Sequence, residues 1–128
     1  MAEIIDNVSH VDWRELKQIL SDPSSPILVV DVRELEEYEA AHIPGIPLVP
    51  MSEIVDVVDR FDKDREYVLV CRSGRRSLEV AKFFQANGIE RVHNFKGGML
   101  SWIEEGNETA QGPEHVVKDY TPEHLERK

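Results

Sequence analysis

Two continuous apolar runs, at residues 27–32 and 67–70, are the clearest hydrophobic pattern in the chain. A continuous apolar run of this length is typical of a parallel strand that is covered on both faces. We therefore predict that residues 27–32 form a central parallel strand and that residues 67–70 form a second strand. Shorter apolar segments predict strands at 92–95, briefly at 48–49, and at 8–11, where we expect an edge strand.

Apolar residues with helical spacing occupy the segments between these strands. Asp12 and Glu15 have the Asp-x-x-Glu spacing of a capping box, and Asn87-Gly88 is typical of a helix end. The predicted helices span about 13–20, 33–41, 52–58, 77–84 and 97–106. Strands that alternate with helices predict an α/β fold, in which a parallel sheet carries helices on both faces.

The length of 128 residues suits one domain with one hydrophobic core. We expect residues 1–7 to be a loose lead-in and residues 1–108 to form the domain. From residue 109 to 128 the composition becomes polar, although Thr121-Pro122 has the form of a helix start. We interpret residues 109–128 as a C-terminal tail that either packs on the domain or is disordered when free.

Charge and composition exclude several classes of function. The net charge of −10 argues against a nucleic-acid or anionic-membrane surface, because phosphates attract basic patches. A single cysteine excludes an intrachain disulfide and a thiolate-rich metal site, and the five histidines lack metal-ligand spacing. We expect no cofactor and no metal. No apolar run reaches the length of a membrane span and the N-terminus lacks signal-peptide features, so we expect a cytoplasmic protein.

The only cysteine stands in the stretch that carries the strongest chemical signal. Cys71 follows the predicted strand 67–70, and the loop after it has one glycine and three arginines before the predicted helix. Such a loop can direct several backbone N–H groups at one point, and the helix N-terminus adds a partial positive charge. The arginines and the helix end are expected to favour the thiolate of Cys71. A lone cysteine is usually a small buried hydrophobe, but the loop chemistry favours a functional thiol here.

The sequence from Cys71 to Ser77 resembles the active-site loop of the rhodanese sulfurtransferases. Three further segments agree with that family in order and spacing, and the resemblance covers about residues 8–108. They are Asp31-Val32-Arg33 with Glu37 and Tyr38, His42-Ile43-Pro44-Gly45, and Phe95-Lys96-Gly97-Gly98 with Trp102.

The resemblance implies a central five-stranded parallel sheet with helices on both faces and the activity of a single-domain thiosulfate sulfurtransferase. Cys71 is then the catalytic nucleophile, which takes a sulfane sulfur as a persulfide and passes it to cyanide or a thiol. The partners implied are a small-molecule sulfur donor and acceptor, with a protein as a further possible acceptor. The substrate-binding residues implied are Arg72, Ser73, Gly74, Arg75, Arg76 and Ser77.

Polar residues outside the loop have simpler interpretations. We expect Asp31 and Arg33 to hold loops through hydrogen bonds or an ion pair, and His42 to be a structural hydrogen-bonding group. Glu34, Glu36, Glu37 and Glu39 are expected to form a solvated helix face.

Two other functions stay open. Phosphatases of the Cdc25 class and arsenate reductases also use a cysteine in an anion-binding loop, but their loop is one residue longer than the segment between Cys71 and Arg76. The other alternative is a non-enzymatic module, or a sulfur carrier that hands persulfide sulfur to a protein partner. Retention of Cys71 and its loop disfavours the non-enzymatic interpretation.

Overall fold

The computed structural model describes residues 3–127 and shows a five-stranded sheet between helices. The strands are β1 Glu3–Ile5, β2 Val8–Val11, β3 Leu28–Asp31, β4 Tyr67–Val70 and β5 Val92–Phe95. Their order in the sheet is β1-β2-β5-β4-β3. Strands β2, β5, β4 and β3 are mutually parallel, whereas β1 pairs with β2 in the antiparallel direction. The predicted five-stranded α/β fold is confirmed, with β1 as the one strand that departs from the parallel direction.

Helices cover both faces of this sheet. They are α1 Trp13–Ser21, α2 Leu35–Ala40, α3 Met51–Val57 with a 3-10 turn at Val58–Arg60, α4 Arg75–Ala86, α5 Gly98–Glu104 and α6 Pro122–Leu125. One half of the core packs side chains of α3, α4 and α6 against the sheet, and the other half packs side chains of α1, α2 and α5. None of the described helices is long and apolar enough to cross a membrane, and the cytoplasmic location stays a prediction.

The N-terminal segment is ordered, so the predicted loose lead-in is wrong for residues 3–7. Asp6 and Asn7 have positive φ angles of 54° and 62° and join β1 to β2 as a two-residue hairpin turn. This turn suits Asn and Asp because both tolerate the left-handed region better than other residues with side chains. Strand β2 therefore lies inside the sheet and is not an edge strand. Residues 1 and 2 lie outside the described part of the chain.

Strand β3 was predicted to be central but lies at the end of the strand order. All four of its residues are buried, because its outer edge is covered by the chain around Leu48. Leu48 bridges to Asp31 on one side and to Val116 on the other. A continuous apolar run reports burial on both faces, and it does not reveal how many strands flank the run.

The C-terminal segment packs against the domain. Val117, Tyr120 and Leu125 are buried in the core, and the Tyr120 ring stacks on Phe61 with centroids 5.5 Å apart. Of the two alternatives for residues 109–127, the structure shows packing. The division of the chain at residue 108 stays a prediction.

Candidate active site

Cys71 lies at the carboxyl end of β4, and the loop after it leads directly into α4. Gly74 caps α4 with a φ of 91°, a left-handed conformation that glycine adopts without strain. The helix begins at Arg75, two residues earlier than predicted, so Ser77 lies within its first turn and does not cap it. This places the thiol beside the N-terminus of a twelve-residue helix.

Two backbone N–H groups and one hydroxyl surround the Cys71 sulfur. The backbone N–H groups of Gly74 and Ser77 lie 3.1 and 3.3 Å from Sγ, and the Ser77 hydroxyl oxygen lies 3.2 Å from it. The residue is only 1% exposed. Hydrogen bonds donated to sulfur stabilise its negative charge, and they act strongly in a buried site. This arrangement is therefore suited to hold a thiolate or a persulfide anion.

The three loop arginines differ in their surroundings. The guanidinium of Arg76 donates two hydrogen bonds to the Glu37 carboxylate, at 2.8 and 2.6 Å. The hydrogen bond from Arg76 lowers the pKa of Glu37, and the same bond raises the pKa of Arg76. Arg72 and Arg75 are exposed, and within residues 3–127 their side chains have no hydrogen bond or ion pair. Ser73 is also exposed.

Asn94 is a residue that the sequence analysis missed. Its Nδ2 atom donates to the Gly74 carbonyl at 2.9 Å and lies 3.2 Å from Nδ1 of His10, while its Oδ1 atom accepts from the Ser77 hydroxyl. Asn94 thus connects β5 to the cysteine loop and to β2. Nothing in the pattern of residues 92–95 distinguishes Asn94 from any other polar strand residue.

The turn between β5 and α5 supports the cysteine loop from the other side. The backbone N–H groups of Met99 and Leu100 donate to the carbonyls of Cys71 and Arg72, at 2.9 and 3.0 Å. Gly98 lies so close that a Cβ atom on it would be 2.5 Å from both carbonyl oxygens. The backbone around the thiol is therefore held in place by a second helix N-terminus.

Asp31 and Arg33 form the predicted pair at the end of β3. The Arg33 guanidinium donates to both carboxylate oxygens of Asp31 at 2.8–3.2 Å and to the carbonyl of Ala41 at 2.7 Å. The two side chains are 6% and 0% exposed. The predicted hydrogen-bonded ion pair is confirmed, and it joins the start of the α2 segment to its end.

His42 has the predicted structural role. Its ring stacks on Tyr38 with centroids 3.8 Å apart, and Nδ1 lies 2.8 Å from the Tyr38 carbonyl oxygen. Its Nε2 atom lies 3.0 Å from the Glu114 carboxylate, which also accepts from the backbone N–H of Gly45. The C-terminal segment therefore anchors the His42–Gly45 turn.

The predicted solvated face of α2 needs a correction. Glu37 is paired with Arg76, and the Glu34 carboxylate accepts hydrogen bonds from the backbone N–H and the hydroxyl of Ser52, at 3.1 and 2.9 Å. Two of the four acidic residues thus join α2 to α4 and α3. Among the described residues no three His, Cys, Asp or Glu side chains are arranged to hold a metal ion.

A family model described as rhodanese-like domain matches residues 12–105 of the chain. The chain belongs to the rhodanese-like domain family. The resemblance carried by its sequence motifs is thereby confirmed. A sulfurtransferase from Allochromatium vinosum is 34% identical to this chain over 99 residues, which are 77% of this chain and 92% of that protein.

Solved structures of rhodanese-like proteins have the same fold. A rhodanese-like domain protein from Staphylococcus aureus is 38% identical, with a TM-score of 0.70, and the match covers 80% of this chain and 97% of that one. A human single-domain sulfurtransferase is 25% identical, with a TM-score of 0.69, and the match covers 77% of this chain and 97% of that one.

Proposed function

We propose that the protein is a sulfurtransferase in which Cys71 carries sulfur as a persulfide. The observation that carries the proposal is the pair of backbone N–H groups that donate to Sγ within 3.3 Å, with the Ser77 hydroxyl oxygen 3.2 Å from the same atom. Backbone donors of this kind stabilise a sulfur anion without a general base beside it. Relatives in the same family are named sulfurtransferases.

In the first half-reaction, the Cys71 thiolate attacks the outer sulfur of thiosulfate. A bond forms between Sγ and that sulfur, the S–S bond of thiosulfate breaks, and sulfite leaves with the electron pair. Within residues 3–127, Arg72 and Arg75 are the loop arginines without an ion pair, and a guanidinium matches the oxygens of the sulfonate end. Because Cys71 is only 1% exposed, the donor has to present a narrow end, which the outer sulfur provides.

In the second half-reaction, a nucleophile such as cyanide or a thiolate attacks the outer sulfur of the persulfide. With cyanide, the new C–S bond gives thiocyanate, and the electron pair of the broken S–S bond returns to Cys71 as the thiolate. The loop donors hold the sulfur anion before and after this step, so the same groups serve both half-reactions. A protein thiol can take the place of cyanide in the same chemistry, as a sulfur carrier requires.

The state of Arg76 supports sulfur transfer over phosphate-ester or arsenate chemistry. A loop that binds a tetrahedral oxyanion needs its arginine directed at the anion. Here the Arg76 guanidinium is bound to both oxygens of Glu37, and four residues separate it from Cys71 along the chain. The shorter loop and the occupied arginine both favour a sulfur atom as the bound group.

Intact-mass measurement after treatment with thiosulfate tests the proposal. The wild-type protein is expected to gain the mass of one sulfur atom and to lose it on addition of cyanide, with thiocyanate released in equal amount. Cys71→Ser is expected to gain no sulfur. If the wild-type protein gains no sulfur but hydrolyses a phosphate ester, the proposal is wrong and the phosphatase alternative replaces it.

A further inference from the structure

Behind Cys71, the Ser77 hydroxyl is continued by Asn94 and His10 as a buried chain of polar side chains, and the two half-reactions described above use neither Asn94 nor His10. Ser77, Asn94 and His10 are 0%, 1% and 5% exposed. The direction of each hydrogen bond in this chain follows from atoms whose role as donor or acceptor is fixed.

The orientation of the Asn94 amide is set by the Gly74 carbonyl. A carbonyl oxygen only accepts hydrogen bonds, so the Asn94 atom 2.9 Å from it is the nitrogen Nδ2. Oδ1 therefore faces the Ser77 hydroxyl. Because Oδ1 is also purely an acceptor, the Ser77 hydroxyl donates its proton to Asn94.

His10 holds the same amide from the other side. The second N–H of Asn94 points at Nδ1 of His10, 3.2 Å away, so Nδ1 accepts and the ring proton lies on Nε2. Among residues 3–127, Nε2 of His10 is the one buried side-chain nitrogen or oxygen without a hydrogen-bond partner. An amide flip of Asn94 would replace its hydrogen bond to Gly74 by a contact between two carbonyl oxygens, so Oδ1 stays directed at Ser77.

The orientation of the Asn94 amide determines whether the Ser77 hydroxyl presents its proton or a lone pair to the Cys71 sulfur. A serine hydroxyl has a single proton, so Ser77 cannot donate to Asn94 and to Cys71 at the same time. While it donates to Asn94, it presents a lone pair to Sγ at 3.2 Å, which suits a thiol S–H as donor. An anionic sulfur needs the opposite arrangement, in which the hydroxyl turns toward Sγ and Oδ1 of Asn94 loses its donor.

We propose that Asn94 is a positioning residue that competes with Cys71 for the Ser77 hydroxyl proton. When the Cys71 thiol loses its proton to solvent, or when the sulfur is a persulfide anion, the hydroxyl rotates from Asn94 Oδ1 to the sulfur. No covalent bond of Ser77 breaks in this step, since only the acceptor of its hydrogen bond changes. The inference rests on the proposed function in taking Cys71 as the reacting group, and it adds a residue that sets how readily the thiolate forms.

Alkylation of Cys71 by iodoacetamide, at one fixed pH below the midpoint of the wild-type alkylation profile, tests this competition without any sulfur transfer. One hydrogen bond contributes about 1 kcal/mol, so Asn94→Ala is expected to raise the alkylation rate about fivefold when Ser77 is present. In a Ser77→Ala background the same change is expected to give no such gain. Asn87→Ala is the matched control, because Asn87 donates to the Phe83 carbonyl on the far end of α4.

The comparison between the wild-type and Ser77→Ala backgrounds controls for a general loosening of the loop by Asn94→Ala. Such loosening would raise the alkylation rate whether or not Ser77 is present. If Asn94→Ala changes the rate by the same factor in both backgrounds, the competition does not exist and the proposal is wrong. Thiosulfate plays no part in this measurement. A protein that alkylates as expected but transfers no sulfur would overturn the proposed function and leave the role of Asn94 standing.

A second measurement needs only wild type and Ser77→Ala, in case Asn94→Ala does not fold. The side-chain carbonyl 13C resonance of Asn94 is followed as the thiol is ionised by raising the pH, with thiolate absorbance as the reference. In wild type the resonance is expected to move together with the absorbance, and in Ser77→Ala most of that movement is expected to disappear. The Asn87 resonance is expected to stay still. Equal movement of the Asn94 resonance in both proteins would contradict the proposal.

Discussion

Arg72, Arg75 and Arg76 lie within five consecutive positions, yet only two of them are available to a substrate. The pairing of Arg76 with Glu37 joins residues 39 positions apart, so no local pattern could reveal it. The sequence shows the basic cluster beside Cys71 directly, and substrate binding by these arginines stays a prediction. Which arginine is neutralised depends on where α2 packs, and that is a tertiary property.

Replacement of the free arginines is expected to weaken donor binding. Arg72→Ala and Arg75→Ala should each raise the KM for thiosulfate roughly tenfold, the effect of losing one charge-assisted hydrogen bond. The rate of the cyanide step should change less, because sulfite has already left. Steady-state kinetics with both substrates varied separate the two effects.

Arg91→Ala is the control for this pair. Arg91 is exposed and directly precedes β5, so the parallel sheet places it at the end opposite to Cys71. Its replacement should leave the KM for thiosulfate unchanged. An equal rise of KM in Arg91→Ala would assign the effect to the overall charge of the protein.

Gly98 has less space around it than Gly74, Gly88, Gly97, Gly106 or Gly112. A Cβ atom at Gly98 would lie 2.5 Å from the backbone oxygens of Cys71 and Arg72, and backbone atoms cannot move aside as a flexible side chain does. Gly98→Ala is expected to push the α5 turn away from the cysteine loop and to reduce sulfur transfer by at least tenfold. Steady-state assay and thermal unfolding report the two consequences.

Gly106→Ala is the control that distinguishes the backbone strain of a positive φ from the steric clash expected in Gly98→Ala. Gly106 has a φ of 76°, and a Cβ atom added to it would meet no described atom within 4 Å. It should show only the conformational cost of about 1 kcal/mol that a left-handed residue carries, with normal sulfur transfer. Equal activity loss in both variants would contradict the role assigned to the contact between Gly98 and the loop.

At the scale of elements, the features set by neighbouring residues were the ones that the sequence predicted. The capping box of α1 forms as expected, since Asp12 and Glu15 exchange hydrogen bonds at 2.8 and 3.1 Å. The strand before Cys71 and the helix after it are also confirmed. Helix α4 starts two residues earlier than predicted, because the left-handed Gly74 ends the loop before Arg75 instead of before Ser77.

Asn94 shows why part of the site could not be predicted. Asn94 lies in β5. It meets His10 only because β5 pairs with β2 in a register that places Asn94 opposite His10. It meets Gly74 and Ser77 only because β4 is the other neighbour of β5. The pattern of apolar and polar residues in a four-residue strand does not determine strand order or register. The role of Asn94 could therefore be found only from the fold.

The ion pair between α2 and α4 is expected to make stability depend on pH. The pKa of Glu37 is lowered from its ordinary value of 4.5, so its contribution is fully present above about pH 4.5 and is lost as the pH falls through the lowered pKa. Glu37→Gln should reduce the free energy of unfolding at pH 7 by less than about 1 kcal/mol, since the pair is partly exposed. Urea unfolding at several pH values should show this difference shrinking below pH 4.5.

Glu36→Gln provides the matched control on the same helix. Glu36 is exposed, and within the described residues it has no hydrogen bond or ion pair. Its replacement should leave the free energy of unfolding nearly unchanged at pH 7. A Glu37→Gln difference that stays constant from pH 7 to below pH 4.5 would show that the carboxylate charge is not what stabilises the contact.

At the scale of the whole molecule, the segment after residue 108 is where composition was least informative. Its polar content predicted a tail that either packs on the domain or is disordered, and the structure shows that a few apolar residues without periodicity pack into the core. Leu48 donates its backbone N–H to His115, and Val117 donates to Leu48, so the segment also runs beside the edge of the sheet. Isolated apolar residues in a polar stretch give no periodic signal, although each of them can be fully buried.

Leu125→Ala tests how much this segment contributes to stability. Leu125 is 0% exposed and belongs to the core, so its truncation is expected to lower the free energy of unfolding by about 2–5 kcal/mol. Leu100→Ala is the same substitution at a residue that is 46% exposed, and it should have a much smaller effect. Equal losses in the two variants, measured by urea unfolding, would mean that the C-terminal segment does not stabilise the domain.

The sheet order has a consequence for the growing chain on the ribosome. His10 in β2 and Asn94 in β5 hydrogen-bond across 84 positions of sequence. Pairing over such distances raises the contact order and slows folding, because a long loop has to close first. The β1–β2 hairpin is synthesised early, and the strand edge that it offers to β5 stays open until residues 92–95 have emerged. During that interval the edge of β2 is a site at which a strand other than β5 can pair, and such pairing competes with the native one.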